Sequence, residues 1–198
     1  MTTAQGRHRT PSTDVTDSLV SAALELLEEE GPEGLTVRSV AARAGVAPMG
    51  VYSRFGGKPG LVEALFVHGF DDLHATIAAS RGRDALARLR QGCRAYRSFA
   101  IGHPHLYQLM FQKMLELDLT TESLDTAAQT FTQLAERVAD AMEAGLLARG
   151  DQVEVAQQVW NGLHGGVMLE LAGITFAADP ERTFAAMVDS MLRGLAAR

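Results

Sequence analysis

Cysteine is almost missing from this 198-residue chain, with Cys93 the single example. One thiol excludes an intramolecular disulfide framework and any cysteine-rich zinc site, and it fits a reducing, cytoplasmic setting. Lysine is nearly as scarce, represented only by Lys58 and Lys113, so the basic residues are overwhelmingly arginine. Long apolar runs are also lacking. The most apolar stretch, residues 155–178, carries only one charge, Glu170, but Gln157, Gln158, Asn161, His164 and four glycines interrupt it. It falls short of the roughly 18 apolar residues that a membrane span requires, and is expected to be a helix buried in protein. The polar N-terminus has no apolar segment of signal-peptide length, so neither secretion nor a membrane partner is expected. A global excess of positive charge is absent too: 18 basic residues stand against 24 acidic ones, a net charge of −6. The chain as a whole is therefore no general binder of polyanions, and any such binding must come from a local patch.

What is present is helical periodicity in nearly every segment, with no period-2 alternation bounded by turn residues. The expected fold is all-α, with about nine helices. A first helix is predicted after Pro11-Ser12-Thr13, with Val15, Leu19, Ala22, Ala23 and Leu26 on one stripe and Gly31-Pro32 as its stop. Thr36 is a suitable N-cap for a short second helix that Gly45 ends, and a third runs from about Ala47-Pro48 to Arg54. Residues 55–59 form a turn, and a fourth helix follows with Val62, Leu65, Phe66, Phe70, Leu73 and Ile77 inward. Beyond a weakly structured stretch at 79–83, helices are predicted over 86–100, 104–115 and 122–148, and the last two are capped by Asp151 and Asp179. The organisation read from this is a flexible arm over 1–12, a small head over 13–60 and a body over 61–198, with the helix at 61–78 joining them.

Two short helices separated by a glycine have the size and spacing of a helix-turn-helix. Between Gly34 and Val62 there is no acidic residue, while Arg38, Arg43, Arg54 and Lys58 contribute +4, leaving −10 for the rest of the chain. A compact basic island on an acidic chain is the electrostatic footprint of a DNA reader, although a solvated basic face would look the same by charge alone. If each of two copies neutralised about four phosphates, log K would fall with log salt at a slope of roughly −7.

The run from Thr36 to Leu61, TVRSVAARAGVAPMGVYSRFGGKPGL, closely resembles the DNA-binding region of TetR-type (tetracycline-repressor-like) transcriptional regulators. The resemblance rests on the Thr opening helix 2, the Ala-Gly-Val of the turn, the Tyr-x-x-Phe of helix 3 and the Lys-x-x-Leu that starts helix 4. It implies double-stranded operator DNA as a partner, with Thr36, Tyr52 and Lys58 holding phosphates. Base-edge contacts would fall to Ala47, Pro48, Met49, Gly50 and Ser53, with Arg54 on guanine or phosphate and Arg38 adding a contact from helix 2. This face is poor in hydrogen-bonding side chains, and Ala47 stands where the family often has Ser, so DNA shape is expected to share the specificity. Val40, Ala41, Val46, Val51 and Phe55 are expected core, Arg43 a solvated or backbone-contacting charge. Arg7 and Arg9 are either a minor-groove arm or an idle tail.

In the C-terminal half, Trp160-Asn161-Gly162-Leu163-His164-Gly165 resembles the Trp-x-x-x-His-Gly motif of one group of TetR-type C-terminal domains. Trp160 and His164 share a helix face. They either pack in the core or line an effector cavity with Phe99, His103, Tyr107, Met110, Phe111, Met114, Phe131 and Met168; an apolar pocket with a few polar groups suits a small-molecule effector. The last helix carries Phe184, Met187, Val188, Met191 and Leu195 on one stripe. With Val159, Leu163 and Val167 of the helix before it, these are the expected homodimer interface, because the family dimerises through its last two helices.

No phosphate-binding glycine loop, nucleophile elbow or paired-carboxylate pattern occurs, and His103-Pro104-His105 is too isolated for a metal site. No catalytic residue, metal or cofactor is expected. The predicted function is a cytoplasmic regulator, in the leading reading a repressor released from its operator by a small, largely apolar effector. The alternatives are a ligand-independent DNA-binding regulator with a filled core and a small-molecule enzyme on a helical scaffold.

Overall fold

A computed structural model of the chain describes residues 12–112 and 117–197, which form nine α-helices: α1 (Ser12–Glu30), α2 (Val37–Arg43), α3 (Met49–Phe55), α4 (Lys58–Ala78), α5 (Ala85–Gly102), α6 (Pro104–Gln112), α7 (Thr121–Glu143), α8 (Gln152–Leu171) and α9 (Pro180–Gly194). The expected arm with Arg7 and Arg9, and Met114, lie outside the described residues.

Local chemistry explains most helix ends. Thr36 caps α2 through its Oγ1, which accepts from the Ser39 amide at 3.0 Å, while Ser39 Oγ accepts from the Thr36 amide at 3.1 Å. This reciprocal pair satisfies donors that a helix start leaves open. Asp84, Asp151 and Asp179 do the same for α5, α8 and α9 with single carboxylates. The helix expected to reach residue 148 instead stops at Glu143. Gly145 turns left-handed at φ +70°, and the amides of Leu146 and Leu147 fold back onto the Ala141 carbonyl.

Helices α1–α3 pack on one another and on α4, burying Leu19, Ala23, Leu27, Val40, Val51, Leu61 and Leu65. The chain then continues in the same α4, about 31 Å long at 1.5 Å per residue, into a body in which α4 packs on α5, α6 and α7. A Cβ at Gly69 would fall 2.6 Å from Met110 Sδ, so that glycine sets how closely α6 lies on α4.

Helices α8 and α9 close the far side. The apolar stretch after Val155 is helical only to Leu171; residues 172–179 are an exposed loop on which Phe176 is wholly exposed. Glu170, the single charge of that stretch, forms a bidentate ion pair with Arg97 of α5 at 2.9 and 2.5 Å. The stripe expected to meet a second copy is largely spent inside the chain. Val159, Leu163, Val167, Phe184 and Val188 are all buried where α8 and α9 pack on each other and on α5, so they have no surface left for a partner. Met187, Met191 and Leu195 are half-buried, Met191 against Gly162 and Met187 against Gly166.

Candidate functional site: an exposed face on the head and a cavity in the body

An exposed face of the head is built by α2, α3 and the start of α4. Thr36, Arg38, Ala47, Pro48, Tyr52, Ser53 and Lys58 are exposed there, Met49 is 71% exposed, and Gly50 and Arg54 are half-buried. Inward positions of the same helices are taken by Val40, Ala41 and Val51, while Val46 and Phe55 pack partly against this core. Pro48 occupies the N-cap of α3 and a Cβ placed on Gly50 would lie 3.5 Å from Val46, so the entry to α3 is compact and carries no side-chain cap.

Tyr52 is 53% exposed, and its ring would contact a Cβ placed on Gly57 at 3.5 Å. The phenol therefore lies along the Gly56-Gly57 turn that delivers Lys58 to the start of α4. Gly56 and Gly57 both have positive φ, and a Cβ at Gly60 would collide with the Phe55 carbonyl oxygen, which makes this turn glycine-dependent. No side chain caps α4, whose first turn carries Lys58 and follows the turn against which Tyr52 lies. An uncapped helix start with an ammonium and a phenol beside it is a ready partner for a phosphate.

The four basic residues of this region are not equivalent. Arg43 bridges to Glu25 and Glu29 of α1 at 3.2 and 2.8 Å, which fixes α2 on α1 and neutralises the charge locally. Arg54 donates to Ser53 Oγ at 3.3 Å and its buried Nε has no partner. Arg38 and Lys58 are exposed and form no ion pair among the described residues. The free positive charge of the head is therefore Arg38, Arg54 and Lys58.

The body contains a cavity of about 410 Å³ between α4, α5, α7 and α8, with Phe111 of α6 in its wall. Of the residues expected around an effector, Phe111, Phe131, Trp160 and His164 line it. Tyr107 stands one layer behind, its hydroxyl 2.7 Å from His164 Nδ1 and 2.6 Å from the Tyr96 hydroxyl. Phe99, His103, Met110 and Met168 do not line it. Phe99 is buried against the His103 ring, which sits exposed at the end of α5; Met110 is consumed by the contact with Gly69; and Met168 is half-buried beside Gln112.

The cavity wall is more varied than the aromatic pattern indicates. Phe70 and Ile77 come from α4, Leu89, Gly92, Cys93 and Tyr96 from α5, Leu163 from α8, and Leu124, Ala127, Ala128, Thr130, Leu134 and Arg137 from α7. The 3.6-residue spacing of the α7 set was legible as an apolar stripe, but which stripe faces a void depends on how four helices converge. Burial pushes the Cys93 thiol up to about 12 and the Tyr96 phenol up to about 12, so neither ionises near neutrality. Burial pushes Tyr107 upward as well and pushes His164 below its ordinary value. A neutral imidazole whose Nδ1 takes the Tyr107 hydroxyl, with Trp160 Nε1 donating to Tyr96 at 3.2 Å, joins these four side chains in one polar cluster.

A helix-turn-helix head joined by one long helix to a cavity-bearing helical body defines a class of DNA-binding regulators, and comparison with known proteins agrees. Residues 19–65 match the family described as bacterial regulatory proteins, tetR family, and residues 89–191 match the tetracyclin repressor-like, C-terminal domain. The chain belongs to the tetR family of transcriptional regulators, which are not enzymes. An uncharacterized HTH-type transcriptional regulator of Mycobacterium tuberculosis, Rv0681, is 27% identical over 188 residues, covering 92% of this chain and 82% of that protein. A protein of unknown function from Rhodococcus sp. RHA1 superposes with a TM-score of 0.85 at 26% identity, covering 98% of this chain and 100% of that one. A TetR family transcription regulator from Marinobacter aquaeolei VT8 superposes at 0.71 with 18% identity over 94% and 97% of the two chains.

Proposed function

We propose that this regulator is a repressor that acts as a homodimer in the cytoplasm and leaves its operator when a small, largely apolar molecule enters the body. The observation that carries this reading is the cavity itself, because one of its walls, Phe70 and Ile77, belongs to the helix whose other end presents Lys58. A ligand that favours a different packing of α4 changes where the head stands. Moving the population from 99:1 to 1:99 takes about 5.5 kcal/mol of differential affinity summed over the sites. The unfilled volume favours an inducible regulator over one with a closed core.

Thr36, Tyr52 and Lys58 are the phosphate contacts in this reading, and Ala47, Pro48, Met49, Gly50 and Ser53 with Arg38 and Arg54 meet the bases. The second copy covers the outward faces of α8 and α9, where Asn161, Gly165 and Leu169 follow one another at four-residue spacing and Ala186 and Ser190 do the same. Gly165 has open space around it, so a neighbouring helix can approach closely. Such symmetry sets two heads about one DNA turn, or a multiple of it, apart.

The experiment is fluorescence anisotropy with DNA fragments flanking the protein's own gene, at two salt concentrations. Saturable, salt-sensitive binding well above that to scrambled DNA is expected, with Tyr52→Phe and Lys58→Ala weakening binding to every sequence. Unchanged affinity in both variants overturns the phosphate contacts. Gly165→Arg is expected to yield monomers in analytical ultracentrifugation, and a dimer of undiminished affinity overturns the proposed interface.

A further inference from the structure

Three arginines of α5 each have a carboxylate partner: Arg88 has Asp140 at 3.7 Å, Arg90 has Asp189 at 2.7 Å and Arg97 has Glu170. Arg137 of α7, in the cavity wall, has none among the described residues. Its Nη1 donates to the Arg88 carbonyl at 3.0 Å and its Nη2 to the Ile77 carbonyl at 2.6 Å. Two backbone carbonyls orient a guanidinium but do not neutralise it, and a guanidinium carries five N–H donors. Removing a cation from water without an anion is unfavourable. Burial first, and then the nearby charge of Arg88, push this group below the ordinary arginine value, while Asp140 opposes them.

Outside the Tyr96, Trp160 and His164 cluster, the rest of the wall is apolar except at Thr130. Thr130, on the same α7 face two turns earlier, is only 9% exposed, and its buried Oγ1 has no hydrogen-bond partner. This is unusual within its own helix, since Thr126 and Thr132 each donate to the carbonyl four residues back. From Leu124 to Arg137 the lining of α7 extends about 20 Å at 1.5 Å per residue. The cavity of about 410 Å³ runs along this face of α7, with α4, α5 and α8 forming its other walls. The Tyr96, Tyr107, Trp160 and His164 cluster is neutral, which leaves Arg137 as the charged anchor of the wall.

We infer that this slot along α7 binds a monocarboxylic acid with an apolar tail, the carboxylate on Arg137 at the end where α4 and α5 meet and the tail running along α7 past Thr130 toward Leu124. This deepens the effector reading above and rests on it only for the consequence at DNA. A planar guanidinium pairs a carboxylate through two parallel N–H bonds, which an alcohol cannot reproduce.

Trp160 is the only tryptophan of the chain and stands in the slot wall, so its fluorescence reports binding in the full-length protein without a label. The test titrates decanoate, decan-1-ol and decyltrimethylammonium, each below its micelle concentration. Decanoate is expected to bind at least tenfold more tightly than decanol, and the ammonium to bind most weakly. In Arg137→Gln the acid is expected to fall to the affinity of the alcohol while decanol is unchanged. Equal affinity of acid and alcohol for the unaltered protein overturns the inference, as does an acid preference that survives Arg137→Gln. Should that variant fail to fold, Ala128→Phe, which narrows the slot remote from Arg137, is expected to weaken both ligands, and undiminished decanoate binding places the acid elsewhere and overturns the inference. Anisotropy on operator DNA separates the two readings: decanoate that binds in the slot yet leaves DNA affinity unchanged sinks the effector role and keeps the ligand class, whereas release by a non-acidic compound with no decanoate binding does the reverse.

Discussion

Glu28, near the end of α1, accepts a hydrogen bond from the Leu106 amide at 2.9 Å, with the neighbouring His105 amide at 3.3 Å. A carboxylate of the head thus caps the first turn of α6 in the body, a task normally given to a residue adjoining the helix itself. Helix α4 is therefore not the only physical link between the two parts.

Removing that cap tests its weight. Glu28→Ala is expected to destabilise the protein by about 1 kcal/mol, the usual magnitude for a lost N-cap, which is a fall of roughly 2–4 °C in Tm for a chain of this size. Hydrogen exchange at Leu106 should accelerate well beyond that of α5, and an unchanged Leu106 amide would show the cap to be dispensable.

A second carboxylate bridges α4 to α7. Glu63 accepts from Ser123 Oγ at 2.7 Å and from the Thr120 amide and hydroxyl, both at 2.8 Å, and these bonds, led by Ser123, hold its carboxyl below the ordinary glutamate value. A depressed carboxyl contributes stability that is complete above the unfolded-state value near 4.5 and is lost as pH falls through the lower folded value. The stability difference between the protein and Glu63→Ala should therefore be constant from pH 8 to 6 and shrink below pH 4.5. A difference that stays constant to pH 3 would contradict the assignment.

The Arg97–Glu170 pair is well shielded, with side chains 13% and 15% exposed. Truncating one partner leaves the other charge buried and alone, so Arg97→Ala is expected to lose about 3–5 kcal/mol in urea unfolding. The double variant Arg97→Met with Glu170→Met should recover most of that loss, and a double variant no better than the single one would argue that the arginine acts through packing.

On the head, Arg38→Ala is expected to lower the slope of log K against log salt by about 1. Arg43→Ala should leave that slope nearly unchanged, because Glu25 and Glu29 already neutralise the Arg43 charge. Equal slopes for the two variants would show that the α1 carboxylates release Arg43 on DNA.

Much of the helical layout was readable because its determinants are local. Thr36, Asp151 and Asp179 cap through amides two or three residues away, and Gly31 and Gly45 turn at positive φ immediately after the helices they end. The head was legible for the same reason, as its inward and outward positions alternate within single short helices. Burial of the α8 and α9 stripe was readable too, but not what buries it: Val159 or Val188 looks the same whether the covering surface belongs to this chain or to another copy. Arg137 and Thr130 gave no signal, since each is an ordinary residue of an amphipathic helix until α4 and α5 converge on it. His103 and Phe99 failed as cavity residues because adjacency to an aromatic-rich helix says nothing about direction across the bundle.

The length of α4 has a mechanical consequence. Its inner end is part of the cavity wall and its outer end is Lys58, so in the proposed switch the helix is a stiff beam with the effector near one tip and the proposed phosphate contact at the other. A tilt of only about 5° about the inner end sweeps the tip of a 31 Å beam by roughly 3 Å. Hydrogen bonds to phosphate tolerate a few tenths of an ångström. On the proposed function, a body that yields no more than a side chain's thickness around its guest is enough to throw the head out of register with the double helix.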